Sequence, residues 1–163
     1  MSNKFSDSYL GKLRKQVGTQ LLLVPGARII IQNPSKEILL QLRADFKIWG
    51  LPAGSAEPGD DITATIIREV KEETSLKIID PKPFGYSSNP QTESITYPNG
   101  DKIQCFNLDF YCTKYEGTPM VADDESLALN WFSLENLPEL LPNMATSIKA
   151  YQRFLATGEF QIF

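Results

Sequence analysis

Apolar and polar residues change period several times along the chain, and each change marks an element. Residues 6–17, SDSYLGKLRKQV, place Tyr9, Leu13 and Val17 at helical spacing and predict a short helix within an N-terminal segment, 1–18. Residues 19–33, TQLLLVPGARIIIQN, are apolar, β-branched and broken by Pro25-Gly26, which predicts two strands or one bent strand. Asn33-Pro34-Ser35 turns into EILLQLR, 37–43, and the pair is read as a hairpin. The Gly- and Pro-rich WGLPAGSAEPGD contains Trp49 and Leu51, so a shaped, partly buried loop is expected. In the helix that follows, Thr63, Ile66, Ile67 and Val70 fall on an arc that can face a core. Leu76–Ile79 is read as a strand stopped by Asp80-Pro81-Lys82-Pro83, and 84–97 as polar and irregular up to a turn at 97–101. A long aromatic strand over 102–115, an acidic loop at Val121–Glu125, a short strand LALNWF and a last helix at about 143–157 complete the series. Antiparallel hairpins flanking one central helix predict an α/β (α+β) fold, a mixed sheet covered by helices on both faces.

Length narrows this to one domain over 1–163 with a real core. A net charge of -4 with no basic stripe argues against nucleic acid as a partner, since that contact needs clustered cations. No apolar run approaches the ~20 residues of a membrane helix. The N-terminus lacks the apolar core of a signal peptide, so a cytoplasmic protein is expected. Cys105 and Cys112 lie an odd spacing apart in one predicted strand, on opposite faces, and are read as reduced thiols. The chain has no histidine. That excludes His-ligated zinc and Ser-His or Cys-His nucleophiles, and leaves carboxylates with hard, oxygen-loving cations.

The densest such cluster lies in residues 54–76, GSAEPGDDITATIIREVKEETSL. Glu69 and Glu73 are i,i+4 neighbours and Glu69 and Glu72 are i,i+3, so three carboxylates project from one side of the helix. Alone, REVKEE also reads as a solvated helix face. Such crowding is best explained by a cation seated on it.

This stretch resembles the Nudix box, Gly, five residues, Glu, seven residues, then Arg-Glu-hydrophobic-any-Glu-Glu-any-Gly-hydrophobic. Gly54, Arg68, Glu69, Val70, Glu72, Glu73 and Leu76 fall in register; Asp60 stands where the pattern has Glu, and Ser75 where it has Gly. The flanking ILLQLR, WGLP and WFSLENLPEL segments agree with the same family. The resemblance implies an α/β/α sandwich and metal-dependent hydrolysis of a nucleoside diphosphate linked to another moiety. It implies Mg²⁺ or Mn²⁺ held by Glu69, Glu73, the supporting Glu72 and the carbonyl of Gly54. It leaves a homodimer open as the assembly.

Other residues carry paired readings. Arg68 orients the carboxylates or makes a plain ion pair with Glu72. Asp60 or Asp61 is the helix N-cap; for Asp60 the cap is preferred to a metal-site role. Ser75 is expected in a left-handed cap, at a cost of roughly 1 kcal/mol. Within the acidic loop Glu125 is the chosen water-activating base, against a solvated turn. Arg43 binds a phosphate bidentately or is a surface arginine, and Trp49 packs the loop in preference to stacking on a base. The 84–101 segment is expected to shape the pocket. An active hydrolase competes with a non-catalytic nucleotide or ADP-ribose sensor and with a plain helical interaction module. The retained glutamates favour the enzyme.

Overall fold

A computed structural model describes residues 4–163, so residues 1–3 of the expected N-terminal segment lie outside the described residues. The elements are α1 (Lys4–Asp7), α2 (Tyr9–Val17), β1 (Leu21–Ile31), β2 (Ile38–Arg43), β3 (Trp49–Gly50), β4 (Ala53–Ser55), α3 (Ile62–Thr74) and β5 (Lys77–Ile79). They continue with β6 (Lys82–Ser87), α4 (Pro90–Glu93), β7 (Ser94–Thr96), β8 (Lys102–Cys112), β9 (Lys114–Glu116), β10 (Ser126–Phe132), α5 (Pro142–Thr157) and β11 (Gln161–Ile162).

The parallel pair β1–β8 is the spine, in register from Leu21↔Lys102 to Ile31↔Cys112. Sheet order is β11-β6-β8-β1-β4, with β7 also on β8. Side chains alternate across it. Ala27, Ile29, Ile31, Phe110 and Cys112 meet Ile66 and Val70 of α3 on one face. On the other, Ile30 and Phe84 meet Met144, Ile148 and Tyr151 of α5. A mixed sheet between two helices is the expected architecture. Burial on both faces explains the apolar run Ile29–Ile31 at the end of β1, while Leu21 and Leu23 near its start are exposed. Pro25 does not break the strand. Its carbonyl accepts the Ala56 N–H at 3.0 Å, so its missing donor lies on the same edge, past the last β4 pair Gly26↔Ser55.

Two expectations are corrected. β2 does not form a hairpin ladder with β1; beyond a single bridge, Gln32↔Ile38, it pairs with β10 and β3 in a separate sheet. The reason is competition, since β8 and β4 already hold the edges of β1. β2 also buries both faces, Leu39 towards α3 and Ile38 and Leu40 towards α5. Residues 84–97 are not irregular either. They fold as β6, α4 and β7 along one edge of β8.

A buried charge network fixes that edge. Arg28 donates to both Glu93 oxygens, at 3.2 and 2.9 Å, and to Ser147 Oγ at 2.5 Å. Ser87 and Ser147 each donate to Asp109 at 2.6 Å, and Asn107 donates to Glu93 at 3.2 Å. One guanidinium thus compensates two buried carboxylates and ties β1, α4, β8 and α5 together. Removing only the cation strands the acids, so Arg28→Met should cost about 3–5 kcal/mol. The triple variant Arg28→Met/Glu93→Gln/Asp109→Asn should recover most of that loss in chemical denaturation.

Candidate active site

The site begins with how α3 is started and aimed. Its N-cap is Asp61, whose side chain accepts the Ala64 N–H at 2.8 Å. The preference for Asp60 as cap is therefore corrected: Asp60 turns away and accepts from Arg68 Nε at 3.1 Å. The helix ends as expected at Ser75, in the left-handed conformation at φ 64° and ψ 0°. With Ile66 and Val70 in the core, the Glu69, Glu72 and Glu73 side of the helix faces the loop that carries β4.

Glu73 is buried. Gln41 Nε2 donates to one of its oxygens at 3.0 Å and the Ala53 N–H to the other at 3.1 Å. Ser126 Oγ holds the far end of Gln41 at 2.8 Å, so a chain of hydrogen bonds runs from β10 through β2 to α3. Glu69 lies directly on Gly54, where an added Cβ would stand 1.9 Å from Glu69 Cδ. Arg68 donates to Glu69 at 2.7 Å and to the Ser55 carbonyl at 3.1 Å, and lies 3.7 Å from Glu72. Its geometry is thus richer than a single i,i+4 pair, because it joins the helix to Asp60 and the β4 loop.

Burial pushes the Glu69 carboxyl up to about 7, against the pull of Arg68 and with reinforcement from Glu72 and Glu125. Burial raises Glu73 well above the usual carboxylate range; the Gln41 hydrogen bond opposes this, and Glu69 and Glu125 add to it. Glu125, selected from the acidic loop, is therefore close enough to act on both. Its carbonyl accepts the Ala44 N–H at 2.8 Å, which anchors the loop to the end of β2.

Arg43 is no plain surface residue. Asp45 holds it bidentately at 3.0 and 2.6 Å, and its guanidinium lies 6.0 Å from the Phe46 ring centre. Trp49 packs edge-on against Phe132 at 4.9 Å, as a loop-fixing residue should. A cavity of about 570 Å³ opens over these groups, lined by Gly54, Arg68, Glu69, Glu72, Glu125 and Arg43. Tyr97 and Asp101 also border it, as expected of the 84–101 segment. Two contributions were missed. Gln41 is signalled only as a lone amide inside an apolar strand, and the N-terminal segment carries no sign of where it docks.

Residues 22–154 match the family model of the NUDIX domain. The chain belongs to the Nudix family. An ADP-ribose pyrophosphatase of Methanocaldococcus jannaschii is 30% identical over 93% of this chain and 89% of its own length. The nucleoside triphosphatase NudI of Klebsiella pneumoniae is 28% identical over 77% of this chain and 93% of its own. Among solved structures, a MutT NUDIX hydrolase of Burkholderia pseudomallei superposes with a TM-score of 0.67 at 22% identity, over 79% of this chain and 98% of that one. This Nudix protein is accordingly a hydrolase of phosphoanhydride bonds.

The contact of Glu69 with Gly54 gives a test that leaves every carboxylate in place. Gly54→Ala forces the Glu69 carboxyl off its seat, and a displacement on that scale should cost roughly 10²-fold in kcat/KM with the circular dichroism spectrum unchanged.

Proposed function

We propose that this Nudix protein is a divalent-cation-dependent pyrophosphohydrolase acting on a nucleoside diphosphate linked to another moiety, such as a nucleoside triphosphate or ADP-ribose. One observation carries the reading: Glu69, Glu72 and Glu125 border one cavity with Gly54 and Arg68, above a buried Glu73. The activities named for the similar archaeal and Klebsiella proteins support a nucleotide-type small molecule as substrate. Among the described residues no helix is long and apolar enough to cross a membrane.

The residues fit a hard cation. Among the described residues no three acidic side chains close on one point, because Glu69 is drawn to Arg68 and Glu73 to Gln41 and Ala53. Yet every donor available is oxygen, as Mg²⁺ or Mn²⁺ require. Burial first and neighbouring carboxylates second raise Glu69 and Glu73, a penalty that a bound cation would relieve. Glu69, Glu72, Glu73 and the Gly54 carbonyl would hold the ion. When bound, such a cation neutralises charge that develops on the diphosphate oxygens and acidifies a coordinated water.

The remaining work belongs to the chain. Gln41 and the Ala53 N–H fix the Glu73 carboxyl, so the deepest donor is placed before substrate arrives. Arg68, braced by Asp60 and the Ser55 carbonyl, restricts the rotamer of Glu69. Glu125, which borders the same cavity, takes the proton from the attacking water. Arg43, pre-aligned by Asp45, presents its remaining N–H groups to a phosphate oxygen.

Glu69→Gln and Glu73→Gln keep size and helix propensity but remove the charge. Each should lower kcat by at least about 10²-fold, or ~2.7 kcal/mol, in a folded protein. Wild-type turnover in either variant, or full activity in excess EDTA, would refute the assignment. Nucleotide binding without phosphate release under Mg²⁺ or Mn²⁺ would identify the sensing domain instead.

The pH dependence follows from Glu69. Its folded pKa of about 7 is raised, so between the ordinary carboxylate range and about pH 7 the native state holds a proton that the unfolded chain has released. Stability from this group is therefore lost as pH rises through that window. In chelator, the melting temperature of the wild type should fall more from about pH 5 to pH 8 than that of Glu69→Gln. Added Mg²⁺ or Mn²⁺ should raise it more at the upper pH. Equal pH slopes for the two proteins would remove Glu69 as the source.

A further inference from the structure

The N-terminal helices lie outside the residues that match the family model, 22–154. Even so, Phe5, Ser8, Leu10 and Arg14 line the same cavity as Glu69 and Gly54. We propose that α1–α2 is the wall that recognises the base of a nucleotide substrate, with Phe5 as its stacking face.

Helix α2 is clamped at both ends. At its start, the Tyr9 N–H donates to both carboxylate oxygens of Glu57, at 3.1 and 3.0 Å. Tyr9 opens α2, where N–H groups lack helical partners, so an acid there is favoured. Glu57 belongs to the loop between β4 and α3. At its end, the nearly buried Arg14 donates to the carbonyls of Gly18 at 3.0 Å, Gln20 at 2.5 Å and Lys102 at 2.5 Å, and lies 3.8 Å from Asp101. These contacts join α2 to the loop beside the carboxylates and to the 97–101 turn, both of which border the cavity.

Gly11 sets the position of Phe5. A Cβ on Gly11 would stand 1.8 Å from the Phe5 carbonyl oxygen. The backbone of α1 therefore rests directly on α2, and only glycine allows that approach. Phe5 is held at the cavity with 50% of its surface exposed.

The cavity offers both polar and apolar surface. Glu69, Glu72 and Glu125 supply carboxylates, while Phe5, Leu10, Tyr97 and Ile103 supply apolar and aromatic surface. A substrate of the same mixed character fits it: a cation-bound diphosphate at the carboxylates and a flat aromatic group against Phe5. At about 570 Å³ the cavity has the size of sites that enclose most of a nucleotide-sized ligand. This inference rests on the proposed hydrolase reading for the placement of the diphosphate. It goes beyond that reading by assigning the base to the N-terminal helices.

The test compares a nucleoside triphosphate with ribose 5-triphosphate, which keeps the phosphates and sugar and lacks the base. In the full chain, Phe5→Ala should lower the ratio of kcat/KM for the two about tenfold, chiefly through KM for the nucleotide. Phe5→Trp should restore the ratio; Phe5→Leu, apolar but without a ring face, should not. Gly11→Ala leaves Phe5 intact but displaces α1, and should reproduce the loss. Calorimetric binding of a non-hydrolysable methylene-bridged nucleotide gives a readout independent of turnover, with the same order of variants expected in Kd.

An unchanged ratio and unchanged Kd in a folded Phe5→Ala protein would overturn the proposal. So would equal loss on both substrates, which would make Phe5 structural. Wild-type protein that binds the analogue but hydrolyses neither of these substrates nor ADP-ribose would refute the hydrolase reading, and the binding series would still decide the role of Phe5. Wild-type protein that binds no nucleotide would overturn both.

Discussion

Two carboxylates of one helix pressed against a strand loop are the constraint on which this site depends. Desolvation, and after it the neighbouring carboxylates, oppose the arrangement and raise Glu69 and Glu73. It persists because each acid is met by a specific donor, Glu73 by Gln41 and the Ala53 N–H, and Glu69 by Arg68. It also needs a glycine, since the Glu69 carboxyl occupies the space a side chain at position 54 would take. The donors sit on β2 and β4, so the two sheets must be assembled before the carboxylates can be held.

Assembly of those sheets rests on the central β1–β8 pair. β1 carries β4 along one edge over Gly26 to Arg28, which sets the height of Gly54 and Ala53 above α3. Beneath that strip, Arg28 binds Glu93 and approaches Asp109 at 3.6 Å. A charge cluster of this kind adds little net stability over a well-packed apolar one. What it does here is connect α4, β8 and α5 to the strand next to the box loop, so the buried charge cluster and the Ala53 N–H that holds Glu73 meet at one strand pair, Arg28↔Ala53.

Much of the candidate site was legible in the sequence because its residues are close together along the chain. Glu69, Glu72 and Glu73 share a helix face by spacing alone, and the run from Gly54 to Leu76 is continuous. Glu125 and Arg43 were reached as the acidic loop before a strand and the charged end of another, and both border the cavity. The cap was misassigned by one residue, because Asp60 and Asp61 are equivalent as types. They are separated only by the path of the loop, which gives one to the Ala64 N–H and the other to Arg68.

The sequence by itself determined the amphipathic helix, the glycine beside it, the absence of any nucleophile–histidine chemistry and the helix–sheet–helix layering, all of which follow from residue type and short-range spacing. Tertiary structure decided which strands pair. β2 left its neighbour in sequence for β10 because β1 was already occupied on both edges, a competition that no local pattern records. Tertiary structure also turned the polar stretch at 84–97 into sheet and helix, since Ser87 and Glu93 are fully buried and are tolerated there only because Arg28 and Asp109, far away in the chain, supply their partners. The N-terminal helices reached the cavity for the same reason. Arg14 finds its carbonyl acceptor on Lys102 across 88 residues of chain, and contacts at that separation exist only once the sheet has formed.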